Sequence, residues 1–238
     1  MTPYYDETGV TIYHGDCREV MTQMLAESTD LIVTDPPYGI GYVSNGRTGN
    51  SLGPIVGDNA LLDVPAAIGQ ALRILKDNRH LYVFGRFDLT ALPIGPCVEL
   101  IWDKQLLSMG NLSLPWGSSH EPITFTTRVA IPAQRRRNTG ALTARLRKGS
   151  VIRAMRRNAV AMDDAHVRHP TEKPVSVLRQ LIESSSLLGE TVFDPFMGCG
   201  STLVAAVAEG RDAIGIEIEE RYCEAAANRL RQGVLWAS

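Results

Sequence analysis

Leu31-Ile32-Val33-Thr34-Asp35-Pro36-Pro37-Tyr38 joins a short apolar run to a rigid polar turn. Three apolar residues, two of them β-branched, predict a strand covered on both faces, and two consecutive prolines lack the N–H groups a ladder needs. The strand therefore ends at Asp35. In a parallel sheet this places the Asp35 carboxylate, the Pro36 carbonyl and the Tyr38 ring at the carboxyl edge, where open α/β sheets bind ligands. Two acceptors beside a stacking ring suit a flat molecule with an exocyclic amino group, a description that a nucleobase meets. The same residues also fit a plain turn, with Asp35 as a helix cap and Tyr38 as a half-buried surface ring.

Upstream, Val10-Thr11-Ile12-Tyr13 alternates as a strand does and breaks at His14-Gly15-Asp16-Cys17. Asp16 thus also lies at a strand end, and its side chain suits the N-cap of a helix from Arg18 to Leu25. Downstream, the stretch 39–58 carries Gly39, Gly41, Gly46, Gly49, Gly53 and Gly57 with few apolar anchors. A loop that long is expected to be a lid or binding segment, with plain disorder as its other reading, and its position directly after the turn favours a lid. Val64, Ile68, Leu72 and Leu75 fall at helical spacing, and His80–Phe84, Leu100–Lys104 and His120–Thr126 read as strands. Trp102 and Trp116 are expected to pack in the core or at its rim.

Thr191-Val192-Phe193-Asp194-Pro195-Phe196-Met197-Gly198-Cys199-Gly200-Ser201-Thr202 reads as strand, glycine turn and helix start. Gly198 and Gly200 let a backbone approach a ligand without a Cβ between them. Leu203 stands where a third glycine would complete the dinucleotide fingerprint, which argues against a pyrophosphate on the helix N-terminus. Glu217 follows Asp194 by 23 residues, near the end of the strand Ala213–Ile218, where a carboxylate can accept ribose hydroxyls; a salt bridge is its other reading. Between these halves, His169-Pro170-Thr171-Glu172-Lys173-Pro174 leads into a helix with Val175, Leu178, Leu181 and Ile182 on one face. Lys173 is either an exposed cation ahead of that helix or a group able to reach a ligand carboxylate.

The 238 residues, 44% of them hydrophobic, suit one large domain with an insertion. Net charge is only −2, but its distribution is uneven. Residues 128–168 hold 11 Lys/Arg against Asp163 and Asp164, a charge of +9, while the remainder carries −11 (13 basic against 24 acidic). Arg135, Arg136, Arg137, Arg145, Arg147, Lys148, Arg153, Arg156 and Arg157 lie in this island. A basic island on an acidic body is the footprint of a polyanion-binding surface, although a charge run can be merely solvated. No apolar run reaches 18 residues and Met1–Asp6 shows no basic, apolar leader, so a cytoplasmic protein without membrane attachment is expected. Cys17, Cys97, Cys199 and Cys223 are far apart, so reduced thiols and no zinc or other metal site are expected.

Asp35-Pro36-Pro37-Tyr38, the glycine turn after Asp194 and His169–Pro174 together resemble the amino-methyltransferases of DNA, over nearly all the chain outside the basic island. Their order, catalytic motif before cofactor motif, is similar to the β-class arrangement. The resemblance implies a seven-stranded, mostly parallel Rossmann-like sheet that uses S-adenosylmethionine. It divides the chain into a catalytic half (1–127), a target-recognition insertion (128–168) and a cofactor-binding half (169–238). It also implies that Asp35, Pro36, Pro37 and Tyr38 are catalytic. Asp16, Cys17, Asp35, Lys173, Asp194, Pro195, Phe196, Gly198, Gly200, Ser201, Thr202 and Glu217 would hold the cofactor, Asp16 against its adenine, and the basic residues would hold duplex DNA. Asp at the motif head leans towards adenine N6, with cytosine N4 as the alternative and RNA as a third substrate. A non-catalytic DNA-binding module and a dinucleotide oxidoreductase are the rivals outside this class. A homodimer is the expected assembly from the class; the residues specify neither a target sequence nor a cognate restriction nuclease.

Overall fold

The computed structural model describes residues 1–37, 62–106, 113, 115–129, 148–155 and 172–235. Within them β1 (Tyr5–Glu7), β2 (Val10–His14), β3 (Thr29–Thr34), β4 (Leu75–Phe84), β5 (Val98–Asp103), β6 (His120–Thr127), β7 (Val151–Arg153), β8 (Thr191–Asp194) and β9 (Asp212–Glu217) form one sheet. Its spatial order is β1-β2-β9-β8-β3-β4-β6-β5-β7. Strands β1 and β6 run against the others, so the sheet is mixed but mostly parallel. Five helices, α1 (Cys17–Gln23), α2 (Val64–Ile74), α3 (Val175–Ser185), α4 (Ser201–Ala208) and α5 (Glu220–Leu235), accompany it.

The described sheet has nine strands rather than seven. The two additions, β1 and β7, are three residues each, too short to display a period. β1 turns into β2 through Thr8 (φ 51°) and Gly9 (φ 77°), two consecutive positive φ values as a tight hairpin of matching twist requires. β7 lies inside the basic island and pairs with β5, so part of that segment belongs to the sheet.

The pleat divides apolar residues between two cores. In β3, Leu31 and Val33 face one side and Ile32 the other; in β4, Tyr82 and Phe84 share a side opposite Leu81 and Val83. Helices α3, α4 and α5 pack on the first face through Leu178, Leu203 and Ala226, and α1 and α2 on the second through Met21 and Ile68. All six residues of β3 are buried, as its apolar run predicts. Trp102 is buried, its indole N–H donating to the Ala154 carbonyl at 2.8 Å, whereas Trp116 is 87% exposed and packs in no core. On α3 the buried set is Val177, Leu178, Leu181 and Ile182, with Val175 at the margin of the core.

Candidate active site

The sheet order decides where chemistry can sit. From β8 the chain continues through α4 to β9 on one side, and from β3 through α2 to β4 on the other. The connections therefore diverge between β8 and β3, and the carboxyl ends of those strands leave a crevice. Across that gap Thr34, the last residue of β3, donates its hydroxyl to Asp194 Oδ1 at the end of β8 (2.7 Å). Asp194 also accepts from the Phe196 N–H (3.1 Å) and the Thr202 hydroxyl. Burial pushes its carboxyl up to about 6; these three donors pull it down and the Asp35 charge pushes it up again.

On one side of the gap the glycine turn follows β8. Gly198 (φ 52°) and Gly200 (φ 74°) both sit in the left-handed region, and a Cβ on Gly200 would lie 2.7 Å from the Ala226 Cβ of α5. Close packing of turn against helix thus requires glycine at 200. Pro195 is buried and Phe196 half-buried beside it, and Ser201 and Thr202 open α4, both nearly buried. At the end of β9, Glu217 accepts from the Gly198 N–H (3.0 Å) and the Glu219 N–H (2.8 Å). Burial pushes its carboxyl up to about 7. Among the described residues no cation pairs with Glu217, so the salt-bridge alternative fails there. A half-buried carboxylate held by backbone N–H groups beside a close-packed glycine turn fits hydroxyl donors such as those of a ribose.

Asp16 reaches the same edge, because the N–H of Gly15 donates to the Glu217 carbonyl (2.9 Å). It caps α1 as its residue type predicts, accepting from the Arg18 N–H at 2.9 Å. The Arg18 guanidinium bonds both its oxygens and holds the carboxyl below the ordinary range. Cys17 is buried behind it, and burial pushes its thiol up to about 12, which keeps it neutral.

On the other side of the gap, Asp35 follows β3 directly, half-buried, with Pro36 buried and Pro37 half-buried. Lys173, just before α3, is not an exposed cation. It is 8% exposed, and its Nζ lies 2.6 Å from Asp35 Oδ2 and 2.8 Å from Glu121 Oε1. Glu121 also pairs with Lys104 (3.1 Å). The structure thus excludes the exposed-cation reading of Lys173 and sets its ammonium between Asp35 and Glu121. Glu121 itself carries no motif. The antiparallel entry of β6 alone brings its first residues to this edge, beside a lysine 52 residues later. Glu172 and Arg229 were likewise not singled out: Arg229 pairs with Glu172 (2.8 Å) and donates to the Cys199 carbonyl (2.7 Å), tying α5 to the glycine turn.

Tyr38 and the expected lid lie outside the described residues, as do Arg135, Arg136, Arg137, Arg145, Arg147, Arg156 and Arg157. Of the basic set, Lys148 pairs with Glu183, and Arg153, 69% exposed, points its Nε to Asp103 Oδ2 at 3.7 Å.

A mostly parallel sheet with carboxylates gathered at its switch point defines a ligand-binding α/β protein. The family model described as DNA methylase matches residues 29–228, and the chain belongs to that family. M2.DpnII, a Type II methyltransferase of Streptococcus pneumoniae, is 27% identical over 251 residues, covering 96% of this chain and 92% of that protein. The DNA adenine methyltransferase YhdJ of Escherichia coli is 29% identical over 248 residues, 92% and 82% of the two chains. Among solved structures, the cytosine-N4-specific PvuII DNA methyltransferase shares the fold with a TM-score of 0.70 at 15% identity, covering 95% of this chain and 88% of that one. TTHA0409 of Thermus thermophilus, solved with S-adenosyl-L-methionine, shares it with a TM-score of 0.62 at 24% identity, covering 94% and 95%.

Proposed function

We propose that the protein methylates the exocyclic N6 of adenine in duplex DNA, with S-adenosylmethionine as methyl donor. The carrying observation is the Thr34–Asp194 hydrogen bond, which joins the Asp35 turn to the glycine turn at one switch point. S-adenosylmethionine, when bound, supplies a methyl group activated on a sulfonium. Glu217 accepts the ribose hydroxyls, the Gly198–Gly200 turn packs against the cofactor, and Asp16 faces its adenine. Asp194, accepting from Thr34, the Phe196 N–H and Thr202, holds in place the turn that would carry the cofactor. An exocyclic amine is a weak nucleophile because its lone pair is delocalised into the ring. Asp35 and the Pro36 carbonyl accept its two N–H bonds, favour a pyramidal nitrogen and stabilise the positive charge that grows there. The base leaves the stack to reach them and packs on Tyr38. The 128–168 segment supplies the cations that hold the duplex. Adenine is favoured by Asp35 at the motif head and by the likeness to YhdJ.

Cytosine N4 is the second reading, since its amine presents the same two N–H bonds and the fold neighbour PvuII is cytosine-N4-specific. DNA methylated by the purified protein, digested to nucleosides and separated by mass spectrometry, discriminates them. N6-methyladenine is expected. N4-methylcytosine would keep the chemistry and replace the substrate, and label appearing only in RNA would overturn both.

A further inference from the structure

Four side chains of alternating charge run in a line from the catalytic edge outward: Asp35, Lys173, Glu121, Lys104. Their links are 2.6, 2.8 and 3.1 Å. They come from the end of β3, the entry to α3, the start of β6 and the end of β5, so the tertiary fold, not local sequence, assembles them. Lys173 is the centre. Its Nζ has three N–H donors, of which one reaches each carboxylate, and the ammonium lies 5.2 Å from the centroid of the Phe84 ring. Burial works against this charge, yet Asp35 and Glu121 together outweigh it and hold the lysine protonated.

We propose that Glu121 is a positioning residue for methyl transfer: it shares the Lys173 ammonium with Asp35, so that the lysine orients Asp35 yet leaves it negative charge for the substrate amine. This rests on the methyltransfer function proposed above and goes beyond it. With Asp35 alone against it, a buried ammonium concentrates its charge on the one carboxylate that must accept from the amine. Positive charge develops on the amine nitrogen in the transition state, and an unshared cation bound to its acceptor opposes that change. With Glu121 present the Lys173 charge is divided between two carboxylates, so Asp35 retains more of its negative charge for the substrate than it would alone against the ammonium. The inward end of the line therefore carries the sign that the reaction needs. Lys104 sets the outer end, matching the second oxygen of Glu121.

The test uses the full chain and tritiated S-adenosylmethionine with genomic DNA from a methylation-deficient host, counting total label in DNA irrespective of base. Glu121→Gln is expected to lower kcat at least tenfold while the cofactor Kd and KM stay within twofold. Lys173→Met and the double variant Glu121→Gln/Lys173→Met are expected to match each other within twofold, because Glu121 acts only through the lysine. Losses that multiply in the double variant, an unchanged kcat in Glu121→Gln, or weaker cofactor binding in Glu121→Gln would each overturn the proposal. Melting curves identify any variant that does not fold. In that event Glu121→Asp, which keeps the charge and withdraws it by about one methylene, takes the place of the glutamine with the same kcat-only loss expected. A wild-type protein that transfers no label to DNA overturns the assigned function itself, while a mistaken choice of base leaves this test unaffected.

Discussion

Glu217 and Asp35 are both carboxylates at strand ends, but the structure gives them different neighbours and hence different signatures. Glu217 is held only by backbone N–H groups and raised to about 7, with the Glu219 charge adding to the effect of burial. If ribose hydroxyls donate to its ionised form, as proposed, cofactor binding releases a proton near neutrality. The cofactor Kd is expected to rise as pH falls through about 7, approaching tenfold per unit. Glu217→Gln should leave only the shallower step that Asp194 contributes near 6. Calorimetric titrations from pH 5 to 8 check both, and a flat wild-type profile would remove Glu217 from the cofactor site. The stability sign runs the other way in the unliganded protein. A carboxyl raised on folding favours the folded state below its ordinary value and loses that contribution as pH rises through about 7, so Glu217→Gln should melt higher than wild type at pH 8. Glu217→Ala should weaken cofactor binding by roughly 1.5–3 kcal/mol, the scale of hydrogen bonds to a charged group. Asp35→Ala, by contrast, should lower kcat by about 10²-fold or more with cofactor affinity nearly unchanged, because Asp35 is proposed to meet the amine and not the cofactor. A calorimetric collapse of affinity in Asp35→Ala would make it a cofactor ligand instead.

At the scale of elements, the glycine turn and α5 form one unit. Gly200 in any other residue type combines a positive φ with a Cβ 2.7 Å from Ala226. The left-handed conformation alone costs about 1–2 kcal/mol for a residue with a Cβ. Gly200→Ala should therefore lower the denaturant midpoint by at least that equivalent, and Gly200→Ala/Ala226→Gly should recover the steric part and not the conformational part. Equal stability of the two variants would show that α5 moves aside freely. The seven longer strands were legible because β-branched and apolar runs such as Leu31–Val33 leave no other place for themselves, and Asp16 announced its cap by residue type. Two features were illegible for a common reason. β7 is three residues in a basic segment, and Glu121 is one acid among 26 Asp/Glu; each gains meaning only from a pairing across the sheet, with β5 or with Lys173. Lys173 was legible as a motif residue, but its burial between Asp35 and Glu121 was not, since the motif fixes its position in the chain and not which carboxylates stand opposite.

For the whole molecule, strand direction places the described ends of the basic island at two different edges of the sheet, and this bears on the proposed contact with DNA. β6 runs against β4, so Thr127 ends at the edge opposite Asp35, where Arg128 pairs with Asp77. β7 runs with β5, so the chain re-enters at Lys148 on that far side, beside Glu183 late in α3, and emerges at Arg153 next to Asp103 on the catalytic edge. The described residues before position 130 and after position 147, Arg128 and Lys148, thus lie at the far edge, whereas Arg153 and Lys173, on either side of positions 156–171, lie at the edge that holds Asp35. A duplex whose base enters the crevice meets that second edge first. In sequence Arg156 and Arg157 follow Arg153 by three and four residues, while Arg135 follows Arg128 by seven. Each lost phosphate contact lowers the slope of log affinity against log salt by about 0.9 on duplex DNA. Arg156→Ala/Arg157→Ala is therefore expected to lower that slope by about 1.8, and by more than the triple change Arg135→Ala/Arg136→Ala/Arg137→Ala, although the triple change removes more charge. Binding isotherms on one duplex from low to moderate salt make the comparison. A larger effect from the triple variant would mean that the far-edge segment reaches round to grip the DNA, and no effect from either would leave the island as solvated charge.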